Sequence, residues 1–507
     1  MKKKYVRWTL WTIASPFILF IILCILIYLP PIQNFLVDKA AVYASEATGM
    51  NISVGRISLS FPLNLVVTNV DAASPHNDTL LSVRRLQVNV QLLPLLKKQV
   101  EVDGISLQGA TVNSNDLIHG MKLNGTLGEL FISSHGVALD PETAIVNKVL
   151  LKDTDLSLCL NDTAAADTAA SDTTYWKIIL QDIDLQNVSF ALDMPLDSLS
   201  LAASLDNAIL RDGLIDLHKS AYSLQTFRIE NGRVRYDNGK PLAADSLSSG
   251  LDPSHIALTD IGVKLDSLYY GGRNMKAIIS QFVLKERSGV EIVSATGRMV
   301  SNDKVLRVPS LKLETRDSYL ELNAAMDWNA LDFKDEGLVS ARLMADIGKP
   351  DVVRFMGRMD EKFVRQYPSE PLRIRTGIDG DLNKLKLTTL TAELPGALGL
   401  FARGELTHLT DSLLRGGDIT LEAETKDLKF VSTLAEGIEI PYGTRLEGKF
   451  TMAGTKMGTD LLLMQPEAQA VVAADTIPIT VYNDSISVAD DFKMERAARL
   501  FAKYDLS

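Results

Sequence analysis

The sequence predicts a mainly β protein, in which an N-terminal transmembrane helix precedes an elongated antiparallel β-sheet with only a few short helices. Three observations predict it. The stretch from Trp8 to Leu29 is apolar without a break from Phe17 onward. From Asn51 on, apolar residues recur with a period of two, the spacing that puts them on one face of a strand. Strand-like runs return roughly every 10–14 residues, with no helical pattern long enough to carry parallel βαβ crossovers.

The anchor comes first. Trp8–Leu29 is about 22 residues, which as a helix at 1.5 Å per residue spans a hydrocarbon core of ~30 Å. Lys2, Lys3, Lys4 and Arg7 precede it, so residues 1–7 are expected in the cytoplasm and the bulk of the chain across the membrane, in the periplasm. Trp8 and Trp11 are placed at one interface, with Phe17 to Leu29 in the lipid, and Pro30-Pro31 ends the helix. A cleaved signal peptide is the alternative. Its apolar core is shorter and ends in small residues, whereas this one ends Ile-Tyr-Leu-Pro-Pro. Cys24 lacks the small residue before it that a lipoprotein cleavage site needs.

The formal net charge of −11 becomes about −15 once the four cations before the anchor are set aside. That excludes nucleic acid as a partner and a broad electrostatic grip on anionic lipid, so any lipid contact by this body must be apolar. Of the two cysteines, Cys24 lies in the anchor and Cys159 is left alone. The body is held by burial rather than by disulfides.

Residues 30–49 read as a membrane-proximal helix, with Phe35, Leu36, Lys39, Ala40, Tyr43 and Ala47 at three-four spacing and Gly49 as a stop. A β region follows over 50–160. Ile52, Val54, Ile57, Leu59 and Phe61 alternate, and Leu86-Gln87-Val88-Asn89-Val90-Gln91-Leu92 alternates over seven residues. Val102 to Leu107 continues the pattern through Ile105, with Gly104 as a turn or bulge. Residues 161–174 form a low-complexity loop of Asp, Thr and Ala that can bury nothing. Over 175–489 the alternation resumes, as in Leu311 to Glu314, Leu320 to Leu322 and Ile419 to Ala423. Near 351–367 a helix is expected, its face carrying Val352, Phe355, Met356, Met359 and Phe363, more a plug or cover than a gate. Residues 490–507 read as a helical end, and a natural chain continuing past Ser507 is one expectation.

Gly49 to Leu63, directly after an anchor and a short helix, resembles the start of the AsmA-like proteins, the TamB (translocation and assembly module) branch in particular. Asp78-Thr79-Leu80-Leu81, Leu92 to Lys98 and Val102 to Leu107 look like the TamB-type pattern found in Bacteroidetes, as do Gly250 to Ile256 and Lys285 to Gly289. The resemblance implies an inner-membrane anchor and a periplasmic sheet curled lengthwise into an open hydrophobic groove. It implies work at the outer membrane: carriage of glycerophospholipids or, with a TamA-type outer-membrane barrel partner, assembly of outer-membrane proteins. Members are usually far longer and finish with a characteristic C-terminal domain that has no counterpart here.

On these grounds Ile57, Leu59, Leu86, Val88, Val90, Leu92, Val102, Ile105 and Leu107 are the expected lining of a lipid groove, with membrane phospholipids as the partner. The same residues could instead form ordinary sandwich core. No catalytic constellation is present: neither a nucleophile elbow, nor a phosphate loop, nor a dinucleotide fingerprint. The six histidines show no metal-ligand spacing. Asp245, Asp252 and His255 fit no calcium-loop frame and read as a turn. No enzyme, cofactor or metal is expected. Asp162-Thr163-Ala164, Asp167-Thr168-Ala169 and Asp172-Thr173-Thr174 resemble O-glycosylation acceptors, and equally suit a plain linker. Three functions remain open: a lipid conduit, which needs a continuous aliphatic stripe; an assembly scaffold, which needs open sheet edges; and a spacer with a closed core.

Overall fold

The computed structural model describes Val42, Ser45 and the chain from Met50 to Asp505, except residues 61–63, 75–78, 91–101, 115–119, 139–141, 162–174, 241–249, 335–336, 358–359, 435–441, 455, 465–474, 483–484 and 489–496. Side-chain surroundings are described as far as Gly454. The anchor and most of the helix expected over 30–49 lie outside the described residues. Within it, Val42 and Ser45 are helical, and Ser45 Oγ accepts a hydrogen bond from Ile52 N. No helix among the described residues is long and apolar enough to cross a membrane. The chain divides into two units, Met1–Lys240 and Pro241–Ser507.

The first unit is a sheet of long strands. They are β1 (Asn51–Ser60), β2 (Asn64–Ala73), β3 (Thr79–Val90), β4 (Val102–Asn113) and β5 (Met121–Ala138), followed by β6 (Thr143–Leu160), β7 (Lys177–Met194), β8 (Leu199–Asp216), β9 (Ala221–Leu224) and β10 (Thr226–Asp237). From β1 to β6 each strand pairs antiparallel with the next. β7 then pairs parallel with β6, and β8 antiparallel with β7 and with β10. The parallel step corrects the expectation of an antiparallel meander throughout. A parallel crossover needs a dozen or more connecting residues, and the low-complexity stretch is long enough to supply them.

That connection also constrains the strands it joins. Asn161 N is held by Gly120 O at 2.6 Å, and Tyr175 N by Glu142 Oε2 at 2.8 Å, at opposite ends of the pair. The fourteen peptide steps from 161 to 175 reach about 50 Å at most. A straight strand from Glu142 to Asn161 would cover about 60 Å. The pair must therefore bend.

The bend has a visible cause. At one level of every strand except β9, the ladder skips a residue: Gly55, Asn69, Arg84, Gly109, Gly128, Asp153, Asn187, Asp206 and Asn231 all lie between paired neighbours. Five of them are left-handed: Asn69 (φ 53), Gly109 (φ 62), Asp153 (φ 50), Asn187 (φ 49) and Asn231 (φ 53). Gly, Asn and Asp are the residues that adopt this conformation at least cost. One residue is left out on both strands of each pair, so the register is kept while the pleat is interrupted, and interruptions aligned from strand to strand make a crease. Asn187 Nδ2 donates to Asp153 Oδ1 at 2.9 Å along it, and Asn231 Nδ2 donates to Asp206 Oδ2. A Cβ on Gly128 would stand 2.8 Å from that of Asp153, so the crease excludes larger residues there.

In the second unit, the twelve strands from His255–Gly271 to Lys456–Met464 pair antiparallel in chain order. The end expected to be helical differs. Residues Ala497–Asp505 are a strand, antiparallel to Lys456–Met464, because an open sheet edge captures an alternating segment (Leu500, Ala502, Tyr504) whatever its local helical spacing. Among the described residues the strands are also longer than the sequence spacing suggests, up to 18 residues, since Gly, Asn and Asp that read as breaks often lie inside continuing strands.

Short helices sit at the strand ends: α1 (Trp328–Leu331), α2 (Lys349–Phe355) and α3 (Glu361–Gln366). α2 and α3 replace the single helix expected over 351–367. Gly357, at φ +75, ends the first, and Asp360 caps the second by accepting from Lys362 N at 2.7 Å. Of the expected apolar face, Val352 and Phe363 pack inward, Phe355 and Met356 are exposed, and Met359 lies outside the description. Phe363 is 1 % exposed and forms, with Tyr367 and Phe430, three ring contacts at 5.2–5.8 Å. Burial pushes the Tyr367 hydroxyl pKa up. Asp351, 1 % exposed, ties α2 to the sheet by accepting from Ser318 Oγ (2.6 Å) and Thr315 Oγ1, and within the helix it accepts from Arg354 Nη1 (3.1 Å). The segment weighed for calcium is a turn: Asp252 accepts from Ser254 N at 2.9 Å and pairs with His255 Nδ1 at 2.8 Å. Asp245 lies outside the described residues.

Candidate functional site

The register of the first unit assembles the expected groove residues into two rows that cross the sheet. Ile57 stands opposite Val67, which stands opposite Leu86, and Leu86 opposite Leu107. The row continues through Leu130, Leu151, Leu185 and Ala208 to Ile229. The second row lies two residues along. Leu59, Leu65, Val88 and Ile105 lead it, and Ile132, Val149, Ile183, Leu210 and Phe227 complete it. Residues directly opposite in a ladder share a face, so both rows are apolar in every strand from β1 to β8 and in β10. Six sequence-selected residues (Ile57, Leu59, Leu86, Val88, Ile105 and Leu107) fall on them.

Val90 and Val102 are also directly opposite each other, their side chains outside the description. Leu92 lies outside the described residues, as do Trp8, Trp11, Phe17 and Leu29.

Sequence reasoning missed that the apolar face continues beyond the crease. There Val54, Val70, Val83, Ala110 and Leu127 are opposite one another, then Thr154, Val188 and Leu205. One residue of every strand is left out of the ladder at the crease, so Leu86 and Val83, three apart, share a face. A strict period of two assigns them to opposite faces. The signal was present: an Asn, Asp or Gly interrupting each alternation at a similar place. Thr154 is the one polar member, and its hydroxyl donates to Lys152 O at 3.2 Å, so it brings no unpaired group to the face.

The reverse face is polar at the same level. Arg56, Thr68, Arg85, Gln108, Glu129, Lys152, Gln186, Asn207 and Glu230 lie opposite one another in turn. Along β3, Arg85 Nη2 donates to Gln87 Oε1 at 3.2 Å, and Gln87 Nε2 to Asn89 Oδ1 at 3.1 Å.

Burial decides what the apolar face is. A sandwich core would bury these side chains, yet in the two rows Ala208 alone is buried; the rest are half-buried, and Ile105 is 37 % exposed. The second unit has its own apolar rows, such as Leu313, Leu320, Ala345, Ile374, Ala392, Leu400, Ala423 and Leu446. Buried clusters cover the ends of these strands. One gathers Phe363, Tyr367, Leu394, Ala397, Leu428 and Phe430; the other gathers Ala330, Val339 and Leu382. The strand Arg445–Ala453 between them alternates exposed and half-buried over its whole length.

Compared with known proteins, the chain matches no family model, no curated protein and no solved structure.

Proposed function

We propose that this protein carries glycerophospholipid from the inner toward the outer membrane, its acyl chains lying along the apolar face of a sheet curled into an open groove. The anchor at Trp8–Leu29 fixes it in the inner membrane, with the bulk in the periplasm. The single observation that carries the reading is the unbroken pair of apolar rows across nine strands, half-buried where a closed core would bury them. Hydrocarbon is the occupant such a face suits: it needs no hydrogen bonds, and burying apolar surface against it contributes about 25 cal/mol per Å². The bend that the fourteen-step connection demands supports a curled sheet. Headgroups stay in water at the open side, in keeping with the acidic body and the absence of inward charge on the rows. An assembly scaffold would tolerate a broken stripe, so its continuity favours the conduit.

Photo-crosslinking in cells tests this. A photoreactive residue at Leu86 or Val88 should form phospholipid adducts, while one at Gln87 or Asn89, on the hydrogen-bonded polar face, should not. Equal labelling of both sets, or protein adducts alone, would sink the conduit.

A further inference from the structure

We propose that the crease sets the calibre of the apolar face: Asn69, Asp153, Asn187 and Asn231 act as positioning residues that fix the angle between its two wings, and so the width of hydrocarbon it takes. This rests on the lipid reading above. The argument begins with alignment. Isolated interruptions would fall at different levels in different strands, and bending one strand would only distort its neighbours. Here the skipped residues keep one level across nine strands, through the parallel step as well as the antiparallel ones. The sheet can therefore fold along a single line.

Apolar residues flank that line on both sides and on the same face: Leu130 and Leu127 on β5, Leu185 and Val188 on β7, Leu86 and Val83 on β3. The angle at the crease is the angle between these two walls. The residues on the line lock it sideways. Asn187 holds Asp153, Asn231 holds Asp206, and the Arg84 guanidinium lies 3.0 Å from where a Cβ on Gly109 would be. Among the described residues of the second unit, Asp260 is the one non-glycine strand residue with a left-handed φ. The crease is a property of the first unit.

Valine resists the left-handed region and glycine adopts it freely. Paired substitution at Asp153 and Asn187 therefore separates backbone geometry from side-chain loss. On a full-length background carrying Cys24→Ser and Cys159→Ser, spin labels at Lys177 and Ser200, both exposed, read the distance between the wings. Co-purifying phospholipid is extracted and its acyl composition measured by mass spectrometry. Asp153→Val with Asn187→Val should lengthen the distance toward the about 53 Å of a straight strand and change the amount or acyl length of bound lipid. Asp153→Gly with Asn187→Gly, which keeps the left-handed backbone and removes only the lateral hydrogen bond, should shift both less than the valine pair does. If the double valine chain does not fold, Asn187→Ala, which also disfavours a positive φ, is read the same way. An unchanged distance, or a lengthened one with an unaltered lipid complement, overturns the proposal. A lengthened distance with no lipid in any variant, wild type included, refutes the lipid reading and the calibre claim with it, while leaving the crease itself standing.

Discussion

Two leucines six residues apart on β3 separate an open face from a closed core. Leu80 is 3 % exposed, whereas Leu86, on the apolar row between Val67 and Leu107, is half-buried. Truncating a fully buried leucine to alanine costs the transfer of three carbons plus a cavity, about 2.7–5 kcal/mol in all. At Leu86 the transfer loss is smaller by up to about a third, because part of the side chain already meets solvent. The gap left behind is open and fills, so no cavity term is added. At about 0.8 kcal/mol per methylene this leaves a loss of about 1.5–2 kcal/mol. The assay is urea unfolding of the lipid-free chain followed by circular dichroism, comparing Leu80→Ala with Leu86→Ala at unchanged slope. Both variants sit in one strand of one unit, so the comparison survives even if the two units unfold separately. A loss at Leu86 equal to that at Leu80 would refute the reasoning, for it would mean that something covers the row. An occupant sharpens the contrast: phospholipid bound to the native state stabilises it by mass action, and Leu86→Asp should abolish that gain.

Phe363→Ala, which empties the centre of the three-ring cluster at the strand ends, should lower stability by about 3–5 kcal/mol; the same urea titration reads it. The His255 hydrogen bond, then that of Ser254 N, holds the Asp252 carboxyl below its ordinary value. Its contribution to stability is therefore complete above the unfolded carboxylate pKa of about 3.9 and is lost as pH falls from there through the lower folded value. Asp252→Asn should flatten that part of the stability profile between pH 5 and 3. Deleting six residues within 163–172 shortens the reach from Asn161 to Tyr175 to about 30 Å; the parallel pairing should fail, seen as lost amide-exchange protection in β7 but not in β2 or β3. Ordinary tolerance of the deletion would show that the ends of the pair lie far closer than the register implies.

The sequence made the face legible because alternation is local: Leu86, Val88, Ile105 and Leu107 announce one side of a strand from their own spacing. It could not show which strands pair, and it is pairing that turns four short stripes into rows across nine strands. The crease was hidden for a related reason. Asn187 and Asp153 each read as a weak strand residue or a break, and only their common level gives them meaning. The helix expected over 351–367 failed because three-four spacing continues through Gly357, whose positive φ ends α2 regardless of the pattern on either side. The C-terminal segment failed differently, since a free strand edge outweighs helical spacing in a piece as short as Ala497–Asp505.

What holds such a sheet together follows from which of its described residues are buried. Nine of the nineteen buried apolar residues among those described are alanines, including Ala72, Ala110 and Ala208 in the first unit and Ala345 and Ala402 in the second. An alanine is hidden by the larger side chains beside it on the same face, with no second layer needed. Ala208, between Leu185 and Ile229, is shielded in this way. Each cross-strand pair contributes only about 0.2–1 kcal/mol, so stability accumulates strand by strand, as in repeat proteins, rather than from one central core. The large buried side chains of the second unit gather instead at the strand ends, around Phe363 and around Val339. That arrangement secures the ends and leaves the middle of the face half-buried, which is where the acyl chain of the proposed function would lie.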